Sequence, residues 1–388
     1  MMYRLYIEKC RENGEQFVKQ HFYQDILNTK FNLSFFRPKK DQCSICESYK
    51  NSSEEEKNVK LASQEKHRQE CEWAHQEKSR DKTVALSNDK DILLCSFDLQ
   101  AVMPLPYANA STFYYKSKLN VYNFTVYNIP DKKGFCYMWH EGEAKRGACE
   151  IATCIYNFLQ YNGEGKHDIF YSDNCAAQNK NKFLVSMYLY VVENLNVQKI
   201  SHKFLIVGHT ENEGDSMHST IEKERNRVLR SNPIYVPSEL YSIAKTAKKT
   251  GSAYIVREMS TEDFIDWKKV NELTGKNFNI NEKNQRVQWN EIKMLEVRKE
   301  QPLKLFYKTS YEQSEYEVID VVRKCRGRRK EISLHPLYNS PPSIPSNKKN
   351  DLISLCKENL IPKKYHNFFS SLKSCENNDA ANETECNF

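Results

Sequence analysis

Three acidic residues occupy positions at which they could hold divalent metal ions. Asp98 lies near the end of the apolar segment 92–99, Asp173 ends the segment 167–173, and Asp215 follows a Gly-flanked loop. Carboxylates that converge from separate elements supply the hard oxygen ligands that Mg²⁺ or Mn²⁺ prefers, and without metal they would repel one another. Two such ions can activate a water or 3′-hydroxyl, stabilise a transferring phosphoryl group and relieve the departing oxygen. The acids therefore predict metal-dependent phosphodiester chemistry.

The residues alone do not decide which side chain is the third ligand of this site. We prefer Asp215, and further donors lie within reach of the same place, namely Glu211, Glu213, His218 and Glu222. His209, in the loop beside the site, is expected to contact the scissile phosphate or to assist product release. Each aspartate taken singly also has a structural interpretation, because Asp at a strand end often forms a turn or caps a helix.

A second set of donors has the spacing of a zinc site. Cys43 and Cys46 form a CxxC pair, and His67 and Cys71 follow one helical turn apart on a charged segment. A structural zinc ion needs four nitrogen or sulfur ligands in a tetrahedron, which this set could provide. Cys10 offers another fourth ligand, with Cys71 and His75 as alternatives. The zinc would fasten the N-terminal segment to the charged helix.

The order of elements between residues 90 and 232 indicates how the acids are positioned. Apolar and aromatic segments with β propensity alternate later with segments of helical periodicity. The predicted strands are 92–99, 113–129, 134–140, 167–173 and 203–209, and the predicted helices are 147–159, 181–194 and 213–227. The succession is β-β-β-α-β-α-β-α. It predicts an α/β fold with a mixed five-stranded sheet flanked by helices.

This succession resembles the ribonuclease H-like fold, whose acids stand on the first strand, at the end of the fourth strand and on the last helix. Residues 90–230 are similar to the integrase and transposase nucleases of that fold. The wider chain, from Tyr6 to Leu372, resembles an uncharacterised eukaryotic transposon-derived family in three motifs, 97–100, 172–179 and 208–218. The resemblance implies two-metal nuclease or strand-transfer activity through Asp98 and Asp173. It also favours Cys10, Cys43, Cys46 and His67 as the zinc ligands.

The remaining segments divide the chain by composition. We expect a zinc-stapled segment with a charged helical arm at 1–85, the core at 90–232, a small α+β region at 233–335, and a linker with short helices and a disordered tail at 336–388. With 388 residues, of which 39% are hydrophobic, the chain is long enough for a full core.

Charge and cysteine content indicate which cellular compartment and which binding partners to expect. The net charge of +7 favours association with a polyanion, and we expect DNA as the partner. The basic cluster 323–330 could contact phosphates or direct nuclear import. Thirteen cysteines, an odd number, and the absence of a signal pattern or long apolar run predict a nuclear or cytoplasmic protein without a membrane segment. Self-association into a homo-oligomer stays open.

Two other hypotheses compete with the nuclease. In the first, the same fold is a catalytically inactive, domesticated scaffold that binds nucleic acid or protein. In the second, the chain is a zinc-stapled interaction module without a nucleic-acid role. Both are favoured by the lack of a recognisable separate N-terminal DNA-binding domain in the sequence.

Overall fold

The computed structural model describes residues 2–31, 42–87, 91–210, 212–323 and 331–375. The chain forms two compact units, residues 1–42 and residues 43–388. The described part of the first unit contains helices α1 (Met2–Glu12) and α2 (Gln20–Lys30). Within it, the ring centroids of Tyr6 and Tyr23 lie 4.9 Å apart in a stacked arrangement.

The second unit contains the other elements of the described chain. Its first part comprises α3 (Ser44–Lys50), α4 (Glu54–Leu86), β1 (Ile92–Leu99), β2 (Met103–Leu105), α5 (Thr112–Tyr115), β3 (Leu119–Asn128), β4 (Lys133–His140), α6 (Ala148–Asn162), β5 (His167–Ser172), α7 (Lys182–Asn194), β6 (Lys199–Phe204) and α8 (Glu213–Leu229). The later part comprises α9 (Pro237–Ala247), β7 (Ile255–Glu258), α10 (Trp267–Thr274), β8 (Met294–Arg298), β9 (Gln301–Lys308), β10 (Glu317–Asp320), β11 (Ile344–Pro345), α11 (Ser346–Lys357), α12 (His366–Ser371) and β12 (Ser374–Cys375).

One mixed sheet organises this unit. Its strand order is β10-β9-β8-β6-β5-β1-β3-β4-β7, with β2 paired to β3. Strand β1 runs antiparallel to β3 and parallel to β5, and β5 runs parallel to β6. The predicted α/β class with a mixed sheet and flanking helices is confirmed.

The predicted size of the sheet was wrong, because it has ten strands in the described residues and not five. The C-terminal region supplies four of the five further strands, and β2 is the fifth. Strand β8 adds antiparallel to β6, β9 and β10 extend that edge, and β7 adds parallel to β4. Both edges of the predicted five-stranded sheet are therefore covered, which removes exposed rows of unpaired backbone groups. Composition could not reveal that β7 and β8 join the sheet, because each pairs with a strand far away in the chain.

Helices cover both faces of the sheet. On one face α6, α7 and α10 pack over the main core, which includes Phe97 of β1 and Phe170 of β5. On the other face α8 and α9 pack over a second core around Met138 and Met217. The C-terminal end of α4 also contacts this second face, where Ala85 packs with Leu94.

Helix α4 is fastened to the sheet by buried polar contacts. The Lys203 ammonium, from β6, lies 2.6 Å from Glu77 Oε1 and 2.5 Å from Asp81 Oδ2. The Tyr171 hydroxyl, from β5, donates to Asp81 Oδ2 at 2.6 Å. The charged helix that the sequence predicts is therefore polar along its N-terminal half and packed against the sheet along its C-terminal half.

The C-terminal helices belong to the same unit. Leu352 of α11 and Phe369 of α12 are fully buried with Phe113 and Val236. Residues 324–330 of the basic cluster and residues 376–388 of the polar tail lie outside the described residues. Within the described ranges, none of the helices combines the length and the apolar character that crossing a membrane requires.

Candidate metal centres

Asp98 lies near the end of β1, and Asp173 directly follows β5, the parallel strand next to it. Ser96 of β1 pairs with Tyr171 of β5, so each aspartate lies two residues beyond this pair. Side chains alternate along a strand, and Leu94 and Tyr171 point to the face that α4 and α8 cover. Continuing that alternation within β1, Asp98 belongs to this face.

Helix α8 begins directly against β1 on this face. A methyl group at Gly214 would lie 3.2 Å from Asp98 Cβ and 2.7 Å from Asn212 Oδ1. Asn212 caps the helix, since its Oδ1 accepts from the Gly214 backbone N–H at 2.6 Å. Glycine is thus the residue that lets the first turn of α8 approach the Asp98 side chain.

This approach forms an acidic group of Asp98, Asp215 and His218. Their ligand atoms all lie within 4.8 Å of one another. His218 Nδ1 is 3.8 Å from Asp98 Oδ2, which is beyond hydrogen-bond distance. Two carboxylates and one imidazole therefore face a shared space. This donor set suits a divalent cation, and its nitrogen favours Mn²⁺ over Mg²⁺.

The tautomer of His218 follows from its neighbour Thr125. The Thr125 hydroxyl donates to the Asp98 carbonyl at 3.1 Å, and its oxygen lies 2.8 Å from His218 Nε2. A hydroxyl has one proton, so both contacts form together only when Thr125 accepts from Nε2–H, and this tautomer leaves Nδ1 with its lone pair toward Asp98. Burial lowers the pKa of His218 to about 4, so the ring is neutral at pH 7.

The other candidates for the third acid differ in their surroundings. The exposed Asp215 also closes the capping box of α8, because its Oδ2 accepts from the Asn212 backbone N–H at 2.8 Å. Glu213 binds Lys78 Nζ at 2.8 Å. Burial raises the pKa of Glu213, but the Lys78 charge and hydrogen bonds outweigh it and leave the pKa below its usual value. Glu222 is not in the acidic group of described residues, and Glu211 lies outside them.

Asp173 is held separately at the end of β5. Its Oδ1 accepts from Asn179 Nδ2 at 2.5 Å and from the Cys175 backbone N–H at 3.1 Å. Burial raises the pKa of the Cys175 thiol, and the charges of Asp173 and Asp98 raise it further. Among the described residues, Asp173 is not part of the 4.8 Å group that contains Asp98.

A second group contains Cys43, Cys46, His67 and His209, whose ligand atoms also lie within 4.8 Å of one another. Cys43 Sγ is 3.2 Å from His67 Nε2, and Cys46 Sγ is 3.6 Å from His209 Nε2. His209, which the sequence assigned to the acidic site, thus lies among the predicted zinc ligands. Cys10 belongs to the first compact unit, and its role stays a prediction.

The comparisons with known proteins identify one segment. Residues 131–302 match a family model described as "Domain of unknown function (DUF7869)". The matched segment is less than half of the chain and contains Asp173, His209, Asp215 and His218. Asp98 and the Cys43, Cys46 and His67 donors precede it. No curated protein and no solved structure matches the chain.

The two groups of donors differ in how clearly the sequence indicates them. Acids at strand ends and the CxxC spacing are visible in the sequence, and His218 was one of its alternatives. Thr125 and Lys78 were missed, because a threonine within a strand and a lysine in a charged helix carry no chemical signature. Their roles arise only from the contacts with His218 and Glu213.

Proposed function

We propose that this protein is a metal-dependent nuclease of the transposase type, with a ribonuclease H-like core and with DNA as its substrate. The observation that carries the proposal is the approach of α8 to the end of β1, which gathers Asp98, Asp215 and His218, while Asp173 directly follows β5, the strand next to β1. The resemblance to the ribonuclease H-like fold implies acidic ligands on the first strand, at the end of the fourth strand and on the last helix.

The arrangement of the five central strands supports the same fold. Their order is β4-β3-β1-β5-β6, in which β4, β3 and β1 are antiparallel and β1, β5 and β6 are parallel. Helices α6, α7 and α8 follow β4, β5 and β6 in the chain. This is the β-β-β-α-β-α-β-α succession, with the short elements β2 and α5 inserted between the first two long strands.

The residues fit divalent ions by their chemistry. Asp98 and Asp173 would contribute carboxylate oxygens, Asp215 would contribute from α8, and His218 would add its Nδ1 lone pair. Bound ions would supply an activated nucleophile and charge stabilisation at the phosphoryl group. The chain itself orients the donors: Asn179 and the Cys175 N–H hold the Asp173 carboxylate, and Thr125 turns Nδ1 of His218 toward Asp98.

Cleavage of labelled duplex and single-stranded DNA by the purified full chain tests this function. We expect product with Mn²⁺ or Mg²⁺, none with EDTA, and a loss of at least about 100-fold in Asp98→Asn and Asp173→Asn. Glu222→Gln, which changes an acid of α8 outside the acidic group, is the matched control and should cut normally.

The result also separates the nuclease from the inactive scaffold. The structural roles of Asp215 in the capping box and of Asp173 in its loop would serve a folded scaffold equally well. Salt-dependent DNA binding without cleavage under any metal would therefore support the scaffold. Cleavage that persists unchanged in Asp98→Asn would contradict the nuclease proposal.

A further inference from the structure

We propose that Cys43, Cys46, His67 and His209 are the four ligands of a structural zinc ion. All four donor atoms converge within 4.8 Å. A sulfur and a nitrogen bound to one tetrahedral zinc ion lie about 3.6 Å apart. The Cys43 Sγ to His67 Nε2 distance of 3.2 Å and the Cys46 Sγ to His209 Nε2 distance of 3.6 Å agree with this geometry.

The ligands come from three parts of the fold. Cys43 is the N-cap of α3, Cys46 lies in its first turn, and His67 lies on α4. His209 lies in the loop between β6 and α8, far away in sequence. Two separate hydrogen-bonded pairs would not require all four groups to meet, whereas a shared tetrahedral ion does.

The backbone around the site is shaped for this approach. Gly208 has a φ of +77° and precedes His209. A methyl group at Gly208 would lie 2.4 Å from Cys43 Cα and 2.8 Å from Cys43 N. Only glycine permits both this left-handed backbone and the contact with the CxxC segment. The loop therefore packs directly against the backbone of Cys43, which is a second observation independent of the donor types.

Other donors of the sequence fit less well. Cys71 Sγ lies 3.7 Å from His67 Nε2 but is not one of the four atoms of the group in the described chain. His75 is exposed two helical turns beyond His67.

Four protein ligands leave no open position for substrate, so this zinc is structural. It would join α3, α4 and the loop after β6 into one cluster. His209 lies in the loop that leads into α8, shortly before Asp215. Glu213 at the start of α8 binds Lys78 of α4. The zinc would thus fix the loop that delivers Asp215 and His218 to the acidic group. This last consequence rests on the proposed nuclease function, but the zinc site does not.

Metal content of the full chain tests the ligand set. Protein purified without chelators should contain one zinc per chain, measured by elemental analysis. His209→Ala should lose most of the zinc, whereas Cys10→Ser and His75→Ala should keep it. Loss of zinc in Cys10→Ser together with retention in His209→Ala would overturn the assignment.

Replacement of zinc by Co²⁺ identifies the ligands even where a variant folds poorly. The thiolate-to-cobalt absorption grows with the number of sulfur ligands, which is two for this set. His209→Cys should retain metal and raise that absorption by about half. An unchanged cobalt spectrum in His209→Cys, or a spectrum in which Cys10→Ser lowers the thiolate absorption, would contradict the proposal.

The two proposals fail in different ways. Asp98→Asn should keep its zinc and lose cleavage. His209→Ala should lose its zinc, and any loss of cleavage in this variant should follow from the loss of zinc. A protein that binds one zinc through these ligands and never cuts DNA would refute only the nuclease function.

Discussion

His218 Nδ1 faces Asp98 Oδ2 at 3.8 Å, and its other ring nitrogen contacts Thr125 Oγ1 at 2.8 Å. The threonine fixes the tautomer, so that two acceptors face each other across a gap with Asp215 beside them. A cation between them would offset the repulsion between the Asp98 carboxylate and the Nδ1 lone pair. The contact links the first strand of the sheet to the last helix of the core.

We expect His218→Ala to weaken Mn²⁺ binding by about 10- to 100-fold, because it removes a ligand or the group that orients Asp98. His218→Asp should bind Mg²⁺ better relative to Mn²⁺, since it replaces nitrogen by oxygen. Titration of Mn²⁺ followed by electron paramagnetic resonance measures both. Glu222→Gln should bind as the parent does, and equal affinities in all four proteins would exclude His218 from the site.

Gly214→Ala should destabilise the protein by at least about 1 kcal/mol. The added methyl would meet Asn212 Oδ1 at 2.7 Å and Asp98 Cβ at 3.2 Å, so the first turn of α8 must move away from β1. Urea denaturation measures the loss. Ser219→Ala, at an exposed position of the same helix, should cause no loss. A Gly214→Ala protein as stable as the parent would show that α8 has room to approach without glycine.

Asp81→Ala should lower the free energy of unfolding by about 3 kcal/mol. The substitution leaves the buried Lys203 ammonium with one carboxylate fewer and removes the acceptor of the Tyr171 hydroxyl. Chemical denaturation followed by fluorescence checks this value.

Glu54→Ala is the control for Asp81→Ala, because Glu54 forms an exposed ion pair with Lys57 on the same helix. It should leave stability unchanged. Equal effects of the two substitutions would mean that α4 is not fastened to the sheet through Lys203.

Asp168→Asn should stabilise the protein, and the gain should grow with pH. Asp168 is fully buried on β5, neither carboxyl oxygen has a hydrogen-bond partner in the described chain, and burial raises its pKa well above the usual value. Because the folded carboxyl keeps its proton while the unfolded one loses it, stability falls as pH rises above about 4. Asparagine removes this dependence.

Denaturation of the parent and Asp168→Asn at pH 5 and at pH 8 measures the difference. The expected gain rises by up to about 1.4 kcal/mol per pH unit. Glu164→Gln, an exposed acid in the loop before β5, should show no such trend. A gain independent of pH would mean that Asp168 is ionised in the folded protein.

The sequence by itself determined the α/β class, the order of the central elements, and the two aspartates at neighbouring strand ends. These follow from local periodicity, which decides whether a segment is a strand or a helix and where it ends.

The tertiary structure decided which donors meet. Gly208 places His209 beside Cys43 and Cys46, and Gly214 places His218 beside Asp98, although the two histidines are close in sequence. The tertiary structure also decided that the four strands β7, β8, β9 and β10 join the sheet. Some of these contacts join segments that are more than a hundred residues apart in the chain. They depend on register and close backbone approach, which local periodicity does not encode.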